Sequence, residues 1–307
     1  MNEFDVVIIG GGAAGLSAAL VLARARRRVA VVDAGAPRNA PAAHMHGFLS
    51  RDGLPPHDLL AIGRKEVQGY GGVLIDGRVT TVVPGAAFQI SLAGGASLNA
   101  RRVLVATGLR DEIPEIPGVR ERWGRDLLHC PYCHGYEVRD QPLAVLGGNP
   151  DAVQHVQLIR QWSADVLLFP HTDTLTADQR EQLAARAIGV VDGPVRRLVV
   201  EDDRLSGVML EDGRAVPRTA VFVRPRLVPN DDLLAALGCA TDDRGWVVAD
   251  PTGRTTVPGV WVAGNAADPR AQVITAAGAG SAAAIALNAD LVEEEVLDAV
   301  HAFRKAG

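Results

Sequence analysis

The sequence predicts an α/β chain of two three-layer (ββα) domains with parallel sheets, the second inserted into the first. Three observations carry this. Residues 5–33 run strand, glycine turn, helix, strand, and the same order returns at about 142–169; each is the pattern of a βαβ unit in a parallel sheet. Between the two units, short alternating apolar runs broken by polar turns read as a β-meander. From Trp246 the chain returns to strand, turn and helix, so the C-terminal part has to complete the first domain. The boundaries fall at the proline-rich stretch Ile113-Pro114-Glu115-Ile116-Pro117-Gly118 and at the polar stretch Thr241-Asp242-Asp243-Arg244-Gly245. The first domain is then 1–116 plus 244–307, and the inserted one 117–243.

Composition agrees with this reading. A chain of 307 residues suggests about two domains. Apolar residues make up 48% and charged residues 22%, as in ordinary globular proteins, while the scarcity of aromatics (4%) and the abundance of Gly and Ala suit tightly packed α/β layers. A net charge of −5 gives no reason to expect nucleic acid or an acidic membrane surface as a partner. The short basic run Arg24, Arg26, Arg27, Arg28 stands where a helix should end and answers its dipole. No apolar run of about 18 residues is read that would suggest a membrane span. The chain passes from Met1-Asn2-Glu3 straight into a strand, with no signal-peptide pattern, so a cytoplasmic location is expected. In that reducing compartment three cysteines do not make a disulfide scaffold.

Taken in order, the first strand, Val6-Val7-Ile8-Ile9, leads into Gly10, Gly12 and Gly15, a G-x-G-x-x-G set that opens a helix. Asp33 ends the next strand 18 residues after Gly15, close to the ~20 expected of a dinucleotide fingerprint. Gly10 makes the tight turn, Gly12 lets the backbone approach a pyrophosphate, and Gly15 lets helix and strand pack closely. The N–H groups at the helix start, at Ala13 and Ala14, face the anion, and Asp33 accepts from a ribose hydroxyl. The meander follows in Val79-Thr80-Thr81-Val82-Val83 and Phe88-Gln89-Ile90-Ser91-Leu92, with Val79 counted among the cofactor residues. The strand Arg102-Val103-Leu104-Val105 then ends in Ala106-Thr107-Gly108.

The chemical centre is His129-Cys130-Pro131-Tyr132-Cys133-His134-Gly135. Cys-x-x-Cys can put two sulfurs within disulfide reach, and a helix start at that point lowers a thiol pKa. Zinc is the rival reading, since His129 and His134 could complete four ligands. As immediate neighbours of the cysteines, however, they close a tetrahedron poorly, and no metal is expected. Inert cysteines are the third reading. His134, with a reference pKa near 6.5, is suited to carry a proton at neutral pH, and His129 is a second candidate. Cys239 reads as a small core residue.

With Gly259-Val260-Trp261-Val262-Ala263-Gly264-Asn265 and the segment from Gln272 to Gly280, these motifs resemble the thioredoxin-reductase-like FAD-dependent pyridine nucleotide-disulfide oxidoreductases over essentially the whole chain. The resemblance implies FAD rather than NAD at the first turn. It places Gly264, Asn265, Gln272 and Val273 near the flavin, with the following helix aimed at its pyrimidine ring. That family usually carries Asp where this chain has Asn265. It also implies that Cys133 is the flavin-proximal sulfur, that Cys130 exchanges with the substrate, and that the protein is a homodimer. Within the family, Cys130 through Glu137 is similar to the Cys-x-x-Cys-His-Gly-aromatic-Glu pattern of dithiol oxidases of the gliotoxin and holomycin type. The segments Asp33 to Asn39 and His44-Met45-His46-Gly47 also look like that subgroup, which makes Arg38, Asn39 and His46 candidates near FAD. His44, His46 and His57 read equally as surface loop residues.

The family's second nucleotide site looks degenerate. In Gly147-Gly148-Asn149-Pro150-Asp151 the second glycine is replaced, and Asn149-Pro150 reads as an N-cap with proline at N1, a side chain taking the N–H groups a pyrophosphate would use. Phe169-Pro170-His171-Thr172-Asp173 offers no arginine to a 2′-phosphate, and Asp173 comes too late for a ribose. The family's glycine before Pro229-Asn230 is missing. The expected activity is therefore oxidation of a dithiol, a small molecule or a thioredoxin-like protein, through Cys130 and Cys133 to FAD and O2. The alternatives are a disulfide reductase fed by NAD(P)H or a donor such as ferredoxin, and a non-catalytic flavin-binding regulator, which would not need the cysteine pair.

Overall fold

The computed structural model describes residues 3–306. In chain order its elements are β1 (Glu3–Ile9), α1 (Ala13–Arg24), β2 (Val29–Asp33), α2 (Pro56–Gly69), β3 (Val73–Asp76), β4 (Val79–Val83), β5 (Phe88–Leu92), β6 (Ser97–Val105) and β7 (Leu109–Glu112). Then come α3 (Val119–Arg122), β8 (Leu127–Leu128), α4 (Pro131–His134), β9 (Leu143–Leu146), α5 (Ala152–Ile159), β10 (Val166–Phe169), α6 (Ala177–Ala185) and β11 (Gly189–Val190). The last are β12 (Val195–Glu201), β13 (Arg204–Leu210), β14 (Ala215–Pro217), β15 (Ala220–Val223), β16 (Arg226–Pro229), α7 (Asp232–Ala236), β17 (Val260–Val262) and α8 (Val273–Ala306). The chain divides into two compact units: Met1–Ala40, Pro56–Arg110 and Val228–Gly307 form the first, Pro41–Pro55 and Asp111–Leu227 the second.

The first unit is a sheet in the order β3-β2-β1-β6-β5-β4, with β17 also paired to β6. β1, β2, β3, β6 and β17 run parallel. The two ends of β6 do different work: Ser97–Ala100 carries the antiparallel β5, and Val103–Val105 carries β17. Period-two alternation sorts the side chains into two cores. Val6, Ile8, Val31 and Leu104 pack with α1 and α8, whereas Val7, Ile9, Val32 and Val105 pack with the meander. The basic run after α1 is tied down by acids and an amide: Arg27 to Asn288 and Glu295, Arg28 to Asp5.

The boundary read at residue 243 moves to 227. Leu234 of α7 and Cys239 are buried in the same core as Val79, Val82 and Val247, so residues 228–243 pack with the first unit. Short apolar helices look alike in sequence whichever sheet they cover. A second difference concerns α8. By length and composition alone this 34-residue helix is apolar enough to cross a membrane. Its inner stripe, Ala276, Gly280, Ala283, Ala284, Leu287 and Leu291, is buried in the core against α1.

The second unit has a parallel sheet in the order β11-β10-β9-β15-β8 and an antiparallel sheet β12-β13-β14. Leu143, Val145, Leu168 and Phe222 bury one face with α5 and α6; Ala144, Leu146, Phe169 and Val221 bury the other with β12 and β13. Helix, parallel sheet and antiparallel sheet are the three layers expected.

Candidate active site

The first glycine turn is built by close approaches. Gly10 has φ +108°, and a Cβ there would lie 2.4 Å from the Ala106 carbonyl oxygen, so only glycine lets the turn rest on Ala106-Thr107-Gly108. A Cβ on Gly15 would lie 1.9 Å from the Gly10 oxygen, which is the helix–strand packing role expected of it. Gly11, which sequence reading passed over, has to be small because Asp33 Oδ2 would stand 2.7 Å from its Cβ. Gly12 is different. Its φ is −76°, open to any residue, and a Cβ there would meet no atom within 4 Å. The chain's own packing gives no reason for a glycine at position 12, whereas a group approaching from outside does. Among the described residues no side chain caps the first turn of α1, so the amides of Ala13 and Ala14 suit an anion. The residues fit a dinucleotide pyrophosphate.

Other candidate residues gather around this turn within the same unit. Asp33 accepts from Gly35 N at 3.3 Å and from Arg64 Nη1 at 3.3 Å, while Arg64 also pairs with Asp76 at 2.6 Å. Arg64, missed in sequence, thus orients the Asp33 carboxylate. Thr107 donates to Asn230 O at 2.6 Å, and Asn230 returns a bond to Thr107 O at 3.0 Å. Asn230 therefore serves the first unit's turn. Gly264, at φ +70°, would set a Cβ 2.9 Å from that of Ala14, and Gly280 would set one 2.0 Å from the Ala14 oxygen, so α8 crosses α1 next to the glycine turn. Asn265 donates through Nδ2 to Asp268 O at 2.9 Å and Ala271 O at 3.0 Å. An aspartate could not make these bonds, which accounts for the amide. It leaves Oδ1 to accept. Gln272 O accepts from Ala276 N at 2.8 Å, placing Gln272 and Val273 at the start of α8. The Val79 side chain is buried in the core. Arg38 and Asn39 are half-buried in this unit, but His46 belongs to the other.

In the second unit Cys130 and Cys133 are disulfide-bonded with Cα atoms 5.3 Å apart. Cys130 is the N-cap of α4 and Pro131 its first residue, and the amides of Cys133 and His134 both donate to Cys130 O at 3.2 Å. This single turn folds the two sulfurs toward each other. With only four residues it adds little dipole to the thiol chemistry. Both cysteines are half-buried, and Tyr132 and Tyr136 stand exposed beside them, Tyr132 edge-on to Trp162 at 5.6 Å.

His134, His46 and His129 lie in the same unit as the pair. Burial lowers the pKa of His134; Glu137 partly opposes the shift and His46 adds to it. Burial thus favours the neutral imidazole at His134. His46 lies between two carboxylates, Asp52 at 3.3 Å from Nδ1 and Glu137 at 3.4 Å from Nε2. His129 Nδ1 is 3.3 Å from Val223 O. His155 of α5 was not singled out in sequence. It is buried 6.4 Å from the His129 ring, and burial first, then the neighbouring His129 and Arg224, push its pKa down to about 4. Cys239 is buried near Thr255 as a core residue.

The second glycine turn differs from the expected cap. α5 begins at Ala152 with Asp151 at its N-cap, and Asn149 Oδ1 accepts from Asp151 N at 3.2 Å. The amides of Gly148 and Asn149 both donate to Asp173 Oδ2, at 2.7 and 3.0 Å. Arg224, the nearby cation, pairs with Asp151 at 2.8 Å.

Residues 4–281 match the pyridine nucleotide-disulphide oxidoreductase family. Among curated relatives, the thioredoxin reductase sirT of Leptosphaeria maculans is 31% identical over 305 residues, covering 93% of each chain. The thioredoxin reductase of Listeria monocytogenes is 31% identical over 314 residues, covering 97% of each. Among solved structures, that of HlmI is 60% identical with a TM-score of 0.97, over 99% of this chain and 97% of that one. The chain belongs to the pyridine nucleotide-disulphide oxidoreductase family and is a flavin-dependent thiol–disulfide oxidoreductase of the thioredoxin-reductase-like branch.

Proposed function

We propose that this enzyme is an FAD-dependent dithiol oxidase with O2 as its acceptor. The observation that carries the reading is the contrast between the two glycine turns. The first leaves room at Gly12 for a pyrophosphate. The second has its amides hydrogen-bonded to Asp173 and has no arginine after β10 for a nicotinamide's phosphate. A charge-assisted hydrogen bond to phosphate is worth ~1.5–3 kcal/mol, so each one lost weakens binding roughly 10- to 100-fold. The pattern from Cys130 to Glu137 supports the same reading.

In the proposed reaction a substrate thiolate attacks Cys130 Sγ, the Cys130–Cys133 bond breaks, and Cys133 leaves as the thiolate. The second substrate thiol then attacks the mixed disulfide and releases Cys130. The substrate leaves oxidised by two electrons as its disulfide, and the protein holds two reduced cysteines. His134, kept neutral by burial, takes the proton from the attacking thiol. A bound FAD would supply the two-electron oxidant that lets the cysteine disulfide re-form, with O2 as the final acceptor reduced to hydrogen peroxide. Gly12, Asp33, Thr107 and Asn265 would hold and orient the cofactor. A homodimer is the proposed assembly, supported by the exposed apolar residues Ile285, Val296 and Phe303 of α8.

Three experiments test this. The yellow chromophore released on denaturation should be FAD, and in air a dithiol should yield one peroxide per substrate disulfide. Under mass spectrometry Cys133→Ser should trap the oxidised substrate as a mixed disulfide on Cys130, and Cys130→Ser should trap far less. The opposite pattern reverses the two roles, and absence of peroxide with substrate disulfide formed removes O2 as the acceptor.

A further inference from the structure

We infer that Asp173 acts as an internal anion: its carboxylate occupies the backbone amides of the second glycine turn and closes that turn to nucleotides. The inference rests on the oxidase reading above and gives the refusal of nicotinamide a specific residue. Consecutive N–H groups of a glycine turn form a concavity that suits an anionic oxygen. Here two of them, on Gly148 and Asn149, converge on the single oxygen Oδ2 of Asp173.

The loop that delivers this carboxylate is fixed on several sides. A Cβ on Gly147 would lie 2.4 Å from the Pro170 oxygen, so turn and loop meet backbone to backbone. His171 adopts φ +62°, and its Nδ1 accepts from Val195 N at 2.8 Å. Asp173 N closes the loop onto Pro170 O at 3.0 Å. The left-handed residue reverses the chain after β10, so that Asp173 points back at the turn. A pyrophosphate would have to displace the carboxylate and then sit beside it, like charge against like charge. The neighbouring guanidinium of Arg224 already serves Asp151 and is not spare to offset this.

The test uses the FAD-loaded protein and ADP as the probe, with binding read by calorimetry. The unchanged protein should give no measurable binding at millimolar ADP. Asp173→Ala should bind ADP at least ~10-fold more tightly, the worth of about one charge-assisted hydrogen bond. Asp173→Asn keeps an acceptor for the loop but loses the charge, and should show a smaller gain; it also decides the matter if the alanine variant does not fold. The inference is overturned if the folded variants bind ADP no better than the unchanged protein, or if the unchanged protein already binds it tightly. Dithiol oxidation, measured on the same samples, reports separately on the oxidase reading.

Discussion

The two glycine turns of this chain follow the same plan, parallel strand into turn into helix, and have opposite surroundings. At Gly12 an added Cβ would meet no atom of the described residues within 4 Å. At Gly148 and Asn149 the amides are spent on a carboxylate of the same chain. A glycine that packing does not require marks a place kept for a ligand, whereas a turn whose donors are satisfied internally has become structure. Four substitutions or conditions can break or sharpen this contrast.

The largest effect is expected of Gly12→Val. Flavin content should drop from about one per chain to near zero, because the side chain fills the space a pyrophosphate takes. The fold should survive, as the added Cβ meets no atom of the described residues within 4 Å and the φ of −76° suits valine. Visible absorbance of the purified variant, with circular dichroism as the control, checks both; a yellow Gly12→Val protein would remove the first half of the contrast.

Next comes acid sensitivity. The buried stripe of α1 contains no titratable group, but α5 buries His155. In the unfolded chain this histidine takes its proton near pH 6.5, and in the folded protein only near pH 4. The unfolded state thus binds more protons between those values, and stability falls as pH falls through them. The loss is about 1.4 kcal/mol per pH unit, or ~2 kcal/mol from pH 6.5 to 5. Urea midpoints should show it, and His155→Phe should flatten it. An equal slope in that variant would mean that other groups are responsible.

Gly147→Ala should cost ~1–3 kcal/mol of stability through the overlap with Pro170 and leave flavin content unchanged. Loss of flavin in this variant would mean that the second turn serves the cofactor after all. The smallest effect belongs to Asp33→Asn. It weakens the pair with Arg64 and the acceptor for a ribose, so FAD affinity should fall roughly tenfold. Equilibrium dialysis of the apoprotein reads this directly, and an unchanged affinity would return Asp33 to a purely structural role.

What the sequence made legible was local. Gly10, Gly12, Gly15 and Asp33, the Cys130–Cys133 pair and the two βαβ units are all defined by short spacings, which backbone geometry imposes directly. What it hid was delivered by tertiary structure. Asp173 reaches the second turn because His171 reverses the chain, and no spacing rule announces a left-handed histidine. Asn230 reads as part of the second site but clamps Thr107, 123 residues away in sequence. Arg64 serves Asp33 from a helix face that looks simply solvated. Asn149 does bind a backbone amide through its side chain, but it stands three residues before α5 begins and its partner is the amide of Asp151, the N-cap itself. The two carboxylates that flank His46, Asp52 and Glu137, come from distant parts of the chain that no local spacing connects.

The central claim is that electrons enter from thiols and not from a nicotinamide. Stopped-flow mixing of the oxidised, FAD-loaded enzyme with each donor under anaerobic conditions tests it most directly. A suitable dithiol should bleach the flavin within a turnover, and admitting air should restore the yellow colour with release of hydrogen peroxide. NADPH and NADH at micromolar concentration should leave the spectrum essentially unchanged. Full bleaching by micromolar NADPH on that timescale would contradict the account and make the enzyme a reductase.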